Sequence, residues 1–594
     1  MSNLIEFAKE IEETLTCGIC LNLVYKASTC SPCMHTFCCH CISETFKKYK
    51  SCPICRKRVE RVHKNHLFDS QIDIYLNAFP NKRKSNEDIQ EANNNITVLK
   101  YDISYTETRN LHYQIIAAIE EDNHDKLASF LQLSHITDNI YNTSITNDIT
   151  TSTIHITTNN NNSESIKLAL NDVDELGRTP LMRACEINAY KLLPLLCHIN
   201  NNCDFNIKDY EGATALIISC SFGHTQCVEL LCQLPNIDLN TRCNRQTNAL
   251  IIACNNGFRD IVSILCKYNV NINLHGYGGI TALITASCNG HYDCICILLR
   301  YTNNNTNSTG IDINAIDDDG DTALLASVYN GYEDCVVCLL NHNANIHIYN
   351  NEKNNVIHAC IYNKHVNILQ TLLHHISTHN NSNTNNSNNS NSIDILINSI
   401  NNEYMTPLLI ACMNGYDDIL YILLYTTYIS INIYNTYTNW SAIMYTCSYN
   451  FPVCLQVLID YSIEYKVYID YNIQCSIGED KGCTALHLAA KEGNIECIHI
   501  LCNMTSTTTN SDKSSYSTTN ICDIDVNMTD DYNRTALMYT VIYNYPDCMY
   551  AILSGVYSTP IDIHTLDKDG KSARDLAEIS GLSECIRLLD EYEG

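Results

Sequence analysis

The chain has 594 residues, 34 of them cysteine, and a formal net charge of −28. That length allows several domains or one long repeat array, and the charge argues against a phosphate backbone, hence against nucleic acid, as the main partner. The N-terminus, MSNLIEFAKEIEETL, lacks the basic start and apolar run of a signal peptide. No apolar run approaches the roughly 20 residues of a bilayer span. The expectation is a cytoplasmic or nuclear protein without membrane insertion, its thiols reduced. The heavy use of Asn, Ile and Tyr reads as codon drift in an AT-rich genome. Charge is unevenly placed: ten Lys/Arg against six Asp/Glu make residues 1–64 +4, which leaves −32 for the rest.

Residues 3–15 place Leu4, Ile5, Ala8, Ile11 and Leu15 on one helical face. A cysteine cluster follows, spaced C-x2-C-x12-C-x-H-x2-C-x2-C-x10-C-x2-C from Cys17 to Cys55. Each C-x2-C step suits zinc, because the intervening turn brings both sulfurs to one metal. Within CMHTFCCHC, Cys38 and Cys41 form such a pair and Cys33 and His35 a tighter one, which leaves Cys39 and His40 pointing elsewhere. The two pairs are expected on different ions. Cys30, Cys39 and His40 read as surface or packing residues, and His63 and His66 as solvated members of a basic tail.

Three Cys, one His and four Cys in this order resemble the RING finger family. The resemblance implies a cross-brace with two structural zinc ions, one held by Cys17, Cys20, Cys38 and Cys41, the other by Cys33, His35, Cys52 and Cys55. It also implies the activity of a ubiquitin ligase that positions a ubiquitin-charged conjugating enzyme (E2) and supplies no nucleophile of its own. By resemblance the E2 docks on Ile19, Pro53 and Ile54, and Arg56 bridges ubiquitin and E2. The segment after Cys41 departs from many members in lacking a Trp. Leu67, Ile72 and Leu76 mark a second flanking helix. Such helices pack on the RING or join two copies into a homodimer, and the sequence leaves both open. A polar linker, NKRKSNEDIQEANNN, ends this part.

From about residue 108 the chain repeats itself. GRTPLMRAC (177–185), GATALIISC (212–220), GITALITAS (279–287), GDTALLASV (320–328), MTPLLIAC (405–412) and GCTALHLAA (482–490) align, with weaker copies near Asn248, Asn355, Ser441, Thr535 and Ser572. Thr179 and Thr406 read as helix N-caps with Pro180 and Pro407 at the first helical position. Seven repeats carry Gly nine residues after the Thr position, from Gly223 to Gly581. Cysteines recur at fixed repeat positions, as a small apolar packing residue would. The pattern resembles the ankyrin repeat, eleven copies behind a divergent cap at 111–131. Asn/Ser/Thr-rich inserts near 135–170, 302–309, 376–393 and 503–521 are expected to be disordered loops.

The sequence thus predicts a small zinc-bound cross-brace RING domain (17–56) with a flanking N-terminal helix (1–16), a flanking helix and linker (57–107), and an all-α ankyrin-repeat solenoid (108–594). The function it implies is that of a RING-type E3 ubiquitin ligase, with an E2 on the RING and a protein substrate on the array. The competing reading is a non-enzymatic scaffold whose RING is structural or dimerising.

Overall fold

The structure, a computed structural model, describes residues 27–31, 36–38, 61–64, 103–131, 160–198, 203–301, 310–382, 391–426, 429–503, 524–557 and 559–593. The chain divides into two compact units, Met1–Glu107 and Thr108–Gly594. In the first, three short strands, β1 (Ala27–Ser31), β2 (Thr36–Cys38) and β3 (Arg61–Lys64), form an antiparallel sheet in the order β2-β1-β3. The register sets Ala27 opposite Cys38 and Thr29 opposite both Thr36 and His63.

The second unit is helical. Two helices, Ile103–Glu120 and His124–Phe130, open it, and eleven successive helix pairs follow among the described residues, from Pro180–Glu186 with Leu193–His198 to Ala573–Ile579 with Ser583–Glu593. First helices pack on first helices and second on second, so the array has two layers with a continuous apolar core between them. A unit of this size cannot bury its apolar face alone, and stacking supplies the missing partner surface.

Each first helix starts at a Thr, Ser or Asn, buried in most repeats. Thr214 Oγ1 accepts from the Ile217 N–H at 3.4 Å, Asn248 Oδ1 from Ile251 at 2.9 Å, and Thr322 Oγ1 from Leu325 at 3.2 Å. These caps satisfy donors that the helix itself leaves orphaned. Each first helix ends in a left-handed residue, such as Gly223 (φ 76°) and Gly415 (φ 68°). The next repeat decides why glycine stands there. The ring of Phe258 covers Gly223, and a Cβ at that glycine would lie 2.9 Å from Phe258 Cζ.

Two expected inserts are shorter than the sequence suggests. Residues Asn160–Asn171 form a helix within the stretch assigned to 135–170, and Ile166, Ala169 and Leu170 of it are buried. His112 Nδ1 ties it to the first helix of the unit through the Ala169 carbonyl, at 2.9 Å. Helix Val366–Ser382 runs into the stretch assigned to 376–393, and Asn391–Ile397 is helical as well. The physical reason is periodic: Ile368, Leu369, Leu372, Leu373 and Ile376 keep one buried face through a polar-looking sequence. Residues 302–309, 383–390 and 504–523 lie outside the described residues, as do the proposed flanking helices at 3–15 and 67–76.

Candidate metal centre and binding surface

Of the eight predicted zinc ligands, Cys38 lies in a described element, at the end of β2 and opposite Ala27 of β1. Cys17, Cys20, Cys33, His35, Cys41, Cys52 and Cys55 lie outside the described residues, as do Ile19, Pro53, Ile54 and Arg56. The chain between β1 and β2, residues 32–35, carries Cys33 and His35, whereas Cys38 closes β2 at its far end. The donor set, seven thiols and one imidazole mostly in C-x2-C steps, fits tetrahedral zinc.

Cys30 sits in β1 opposite Val62, and His63, read from the sequence as part of a solvated tail, belongs to β3. The backbone of 61–64 is therefore part of a sheet. Sequence reasoning missed this strand because RVHK has one apolar residue and pairs with a partner some thirty positions away.

In the array, none of the described residues forms a group of three or more His, Cys, Asp or Glu able to hold a metal. Of the 24 cysteines described there, 21 are buried. Burial pushes several of the thiols up, Cys232 and Cys266 to about 12 and Cys548 to about 11. They fill core positions between repeats as small apolar groups. No helix among the described residues is long and apolar enough to cross a membrane.

The turns that precede each first helix carry a recurring set of polar contacts. In most of them one Asp or Asn, five residues before the N-cap, accepts two backbone N–H groups. Asp209 Oδ1 takes those of Glu211 and Ala213 at 2.9 and 2.8 Å, and Asn401 Oδ1 those of Glu403 and Met405, both at 3.0 Å. Turns also bond to their neighbours: the Asn351 N–H donates to the Asp319 carbonyl and Asn402 to that of Glu352, each at 2.9 Å. A second row of Asn carboxamides joins repeats through Asp238 N–H to Asn206 Oδ1, Asn271 to Asn240 and Asn345 to Asn314, at 2.8–2.9 Å. The asparagines thus hold repeats together at fixed positions, a role that composition alone concealed. Their recurrence before each Thr anchor is the signal that could have revealed it.

Charge near these turns changes along the array. In the first repeat Arg183 Nε meets Asp174 at 2.5 Å and Arg178 meets Glu186 at 2.5 Å. Burial works against the Glu186 charge, but hydrogen bonds from Arg178 and Arg183 hold its carboxyl below the usual range. No arginine stands between Arg300 and Arg534. Within that stretch Asp317, Asp319, Asp321, Glu352 and Glu403 take part in none of the described ion pairs, while Asp480 and Asp531 pair with Lys491 and Lys481. Burial, with a smaller push from Asp317, Asp319 and Glu352, raises the Asp321 carboxyl to about 6. Beside these carboxylates the exposed rings of Tyr404 and Tyr437 stack at 5.7 Å.

Comparison with known proteins adds two findings. A profile of the Ring finger domain matches residues 15–56. A profile of ankyrin repeats in three copies matches 115–209, 190–275, 234–310, 307–386 and 428–514, together more than half of the chain. The chain is similar to E3 ubiquitin-protein ligase CHFR of Homo sapiens, 44% identical over 90 residues, 15% of this chain and 14% of that protein. CHFR of Danio rerio is 41% identical over 90 residues, with the same shares. Polycomb group RING finger protein 3 homolog mig-32 of Caenorhabditis elegans is 34% identical over 76 residues, 12% of this chain and 14% of that protein. The chain thus spans 14% of the length of these relatives.

Proposed function

Because the chain belongs to the ankyrin-repeat family and carries a RING finger at its N-terminus, we propose that it is a RING-type E3 ubiquitin-protein ligase. It recruits a ubiquitin-charged E2 through the RING and a protein substrate through the repeats. The observation that carries this reading is the 44% identity with a ubiquitin ligase over 90 residues that take in the RING.

In this proposal Cys17, Cys20, Cys38 and Cys41 hold one zinc ion, and Cys33, His35, Cys52 and Cys55 the other. Zinc supplies the fold of a module too small for a sufficient apolar core. Ile19, Pro53 and Ile54 form the apolar contact for the E2. Arg56, with five donors in a fixed fork, bridges ubiquitin and E2. The substrate lysine amine attacks the thioester carbonyl on the E2, and the E2 thiolate leaves. The ligase contributes proximity and orientation, and no thioester intermediate forms on it. On the array, the unpaired carboxylates between Asp317 and Glu403 favour a substrate with a basic surface.

The test is a reconstituted reaction of the full chain with ubiquitin, activating enzyme and a panel of E2s. Ubiquitin chains on the ligase, lost when zinc is chelated, are the expected result. Their absence with every E2 would replace the ligase by a binding scaffold.

A further inference from the structure

The second helices of the fourth and fifth repeats, Tyr292–Arg300 and Glu333–Asn341, pack side by side. Across their interface the Sγ atoms of Cys296 and Cys338 lie 3.5 Å apart. Cys296 is half-buried and Cys338 is 7% exposed. Two other thiol pairs, Cys185 with Cys227 and Cys447 with Cys497, are also in contact, but all four of those residues are fully buried. A reagent in solution therefore has a route to Cys296 that those pairs lack.

The surroundings favour chemistry at this pair. The exposed Tyr292 and Arg300 stand one turn to either side of Cys296 on the same helix. The thiolate is the form of a cysteine that attacks a peroxide, and Cys296 is the sulfur of the pair that solvent reaches. Burial, with Cys296 and Cys335 adding to it, pushes the Cys338 thiol up to about 12, so it serves as the second partner and not the first.

We propose that Cys296 and Cys338 are a modification site at which a hydroperoxide makes a disulfide that staples consecutive repeats. The Cys296 thiolate attacks the distal peroxide oxygen and the O–O bond breaks. After proton uptake an alcohol or water leaves, and Cys296 becomes a sulfenic acid. The Cys338 sulfur then attacks the Cys296 sulfur, the S–O bond breaks, and water leaves with the Cys338 proton. Two thiols are oxidised by two electrons and one peroxide is reduced by two. The bond brings the two sulfurs from 3.5 Å to about 2.05 Å. This inference does not rest on the ligase reading.

The test treats the full chain with hydrogen peroxide, blocks free thiols, and maps peptides by mass spectrometry, so that oxidation of the N-terminal cysteines is read separately. A reductant-reversible Cys296–Cys338 peptide should be the main product at Cys296, retained in Cys335→Ser. In Cys338→Ser it should be lost completely and replaced by a dimedone-trapped sulfenic acid at Cys296. Hydrogen exchange in both helices should slow on oxidation of the wild type and be unchanged in Cys338→Ser. A Cys296 that stays reduced, links to Cys335, or is trapped by dimedone equally in wild type and Cys338→Ser overturns the proposal.

Discussion

A methyl group at Gly290 would stand 2.5 Å from Cε1 of Tyr332, on a backbone with φ 69°. Both the ring and the left-handed conformation oppose it, so Gly290→Ala should cost about 1–3 kcal/mol, read as a lower urea midpoint by circular dichroism. Ser287 points the other way. It stands at the repeat position that Cys185, Cys220, Cys254, Cys412 and Cys447 fill elsewhere, and its buried hydroxyl has no hydrogen-bond partner. Ser287→Cys removes an unsatisfied polar group from a slot already shaped for sulfur, and should stabilise the array by about 1 kcal/mol. Asp321 adds a pH dependence. Its carboxyl is raised to about 6 from an ordinary 3.8, so the folded state binds the proton more tightly than the unfolded one. Its charged form therefore weakens the fold above pH 6, and that penalty is relieved as pH falls from about 6 toward 4. Asp321→Asn keeps the oxygen that accepts from Asn350 Nδ2. The variant should be the more stable protein at pH 7, with the advantage shrinking by pH 5. An advantage independent of pH would show that the carboxylate's charge is not the cause.

Among the elements, the contrast between inserts and helices is directly testable. Replacing residues 383–390 by a Gly-Ser run of equal length should leave the thermal midpoint unchanged. Ile376→Asn or Leu396→Asn, at buried helix positions, should lower it, because each buries a polar group without a designed partner. A large loss from the Gly-Ser replacement would mean that the run packs against the array. The same contrast shows what the sequence could disclose. The repeat period was legible because Thr caps, left-handed glycines and apolar faces recur locally, within about ten residues of each other. The left-handed position itself holds in all eleven repeats, and Asn188, Lys364, Asn450 and Asn544 take it where glycine does not. The Asp and Asn turn locks were hidden, because two residue types share the role and Cys243 and Gly276 interrupt it. The proposed metal donors stand out as C-x2-C steps, which are local, whereas β3 depends on a distant strand. Zinc analysis tests the donors: two ions per chain, unchanged by Cys39→Ser and reduced by Cys38→Ser or His35→Ala. Zinc lost on Cys39→Ser contradicts the assignment.

For the molecule as a whole, the proposed function divides between the two units, with catalysis by positioning in one and capture of a partner in the other. Charge is unequal between them, with a net +1 in residues 1–107 and −29 in residues 108–594. If the RING positions the E2, contact and activation should be separable by mutation. The measurement is single-turnover discharge of ubiquitin from a charged E2 onto free lysine, beside E2 binding, for wild type, Ile19→Ala and Arg56→Ala with both zinc ions retained. Wild type should accelerate discharge, Ile19→Ala should lose binding and acceleration together, and Arg56→Ala should bind the E2 yet discharge it at least tenfold more slowly, a loss of about 1.4 kcal/mol in transition-state stabilisation. Discharge by wild type no faster than by the E2 alone, with any E2 that it binds, would contradict the ligase account.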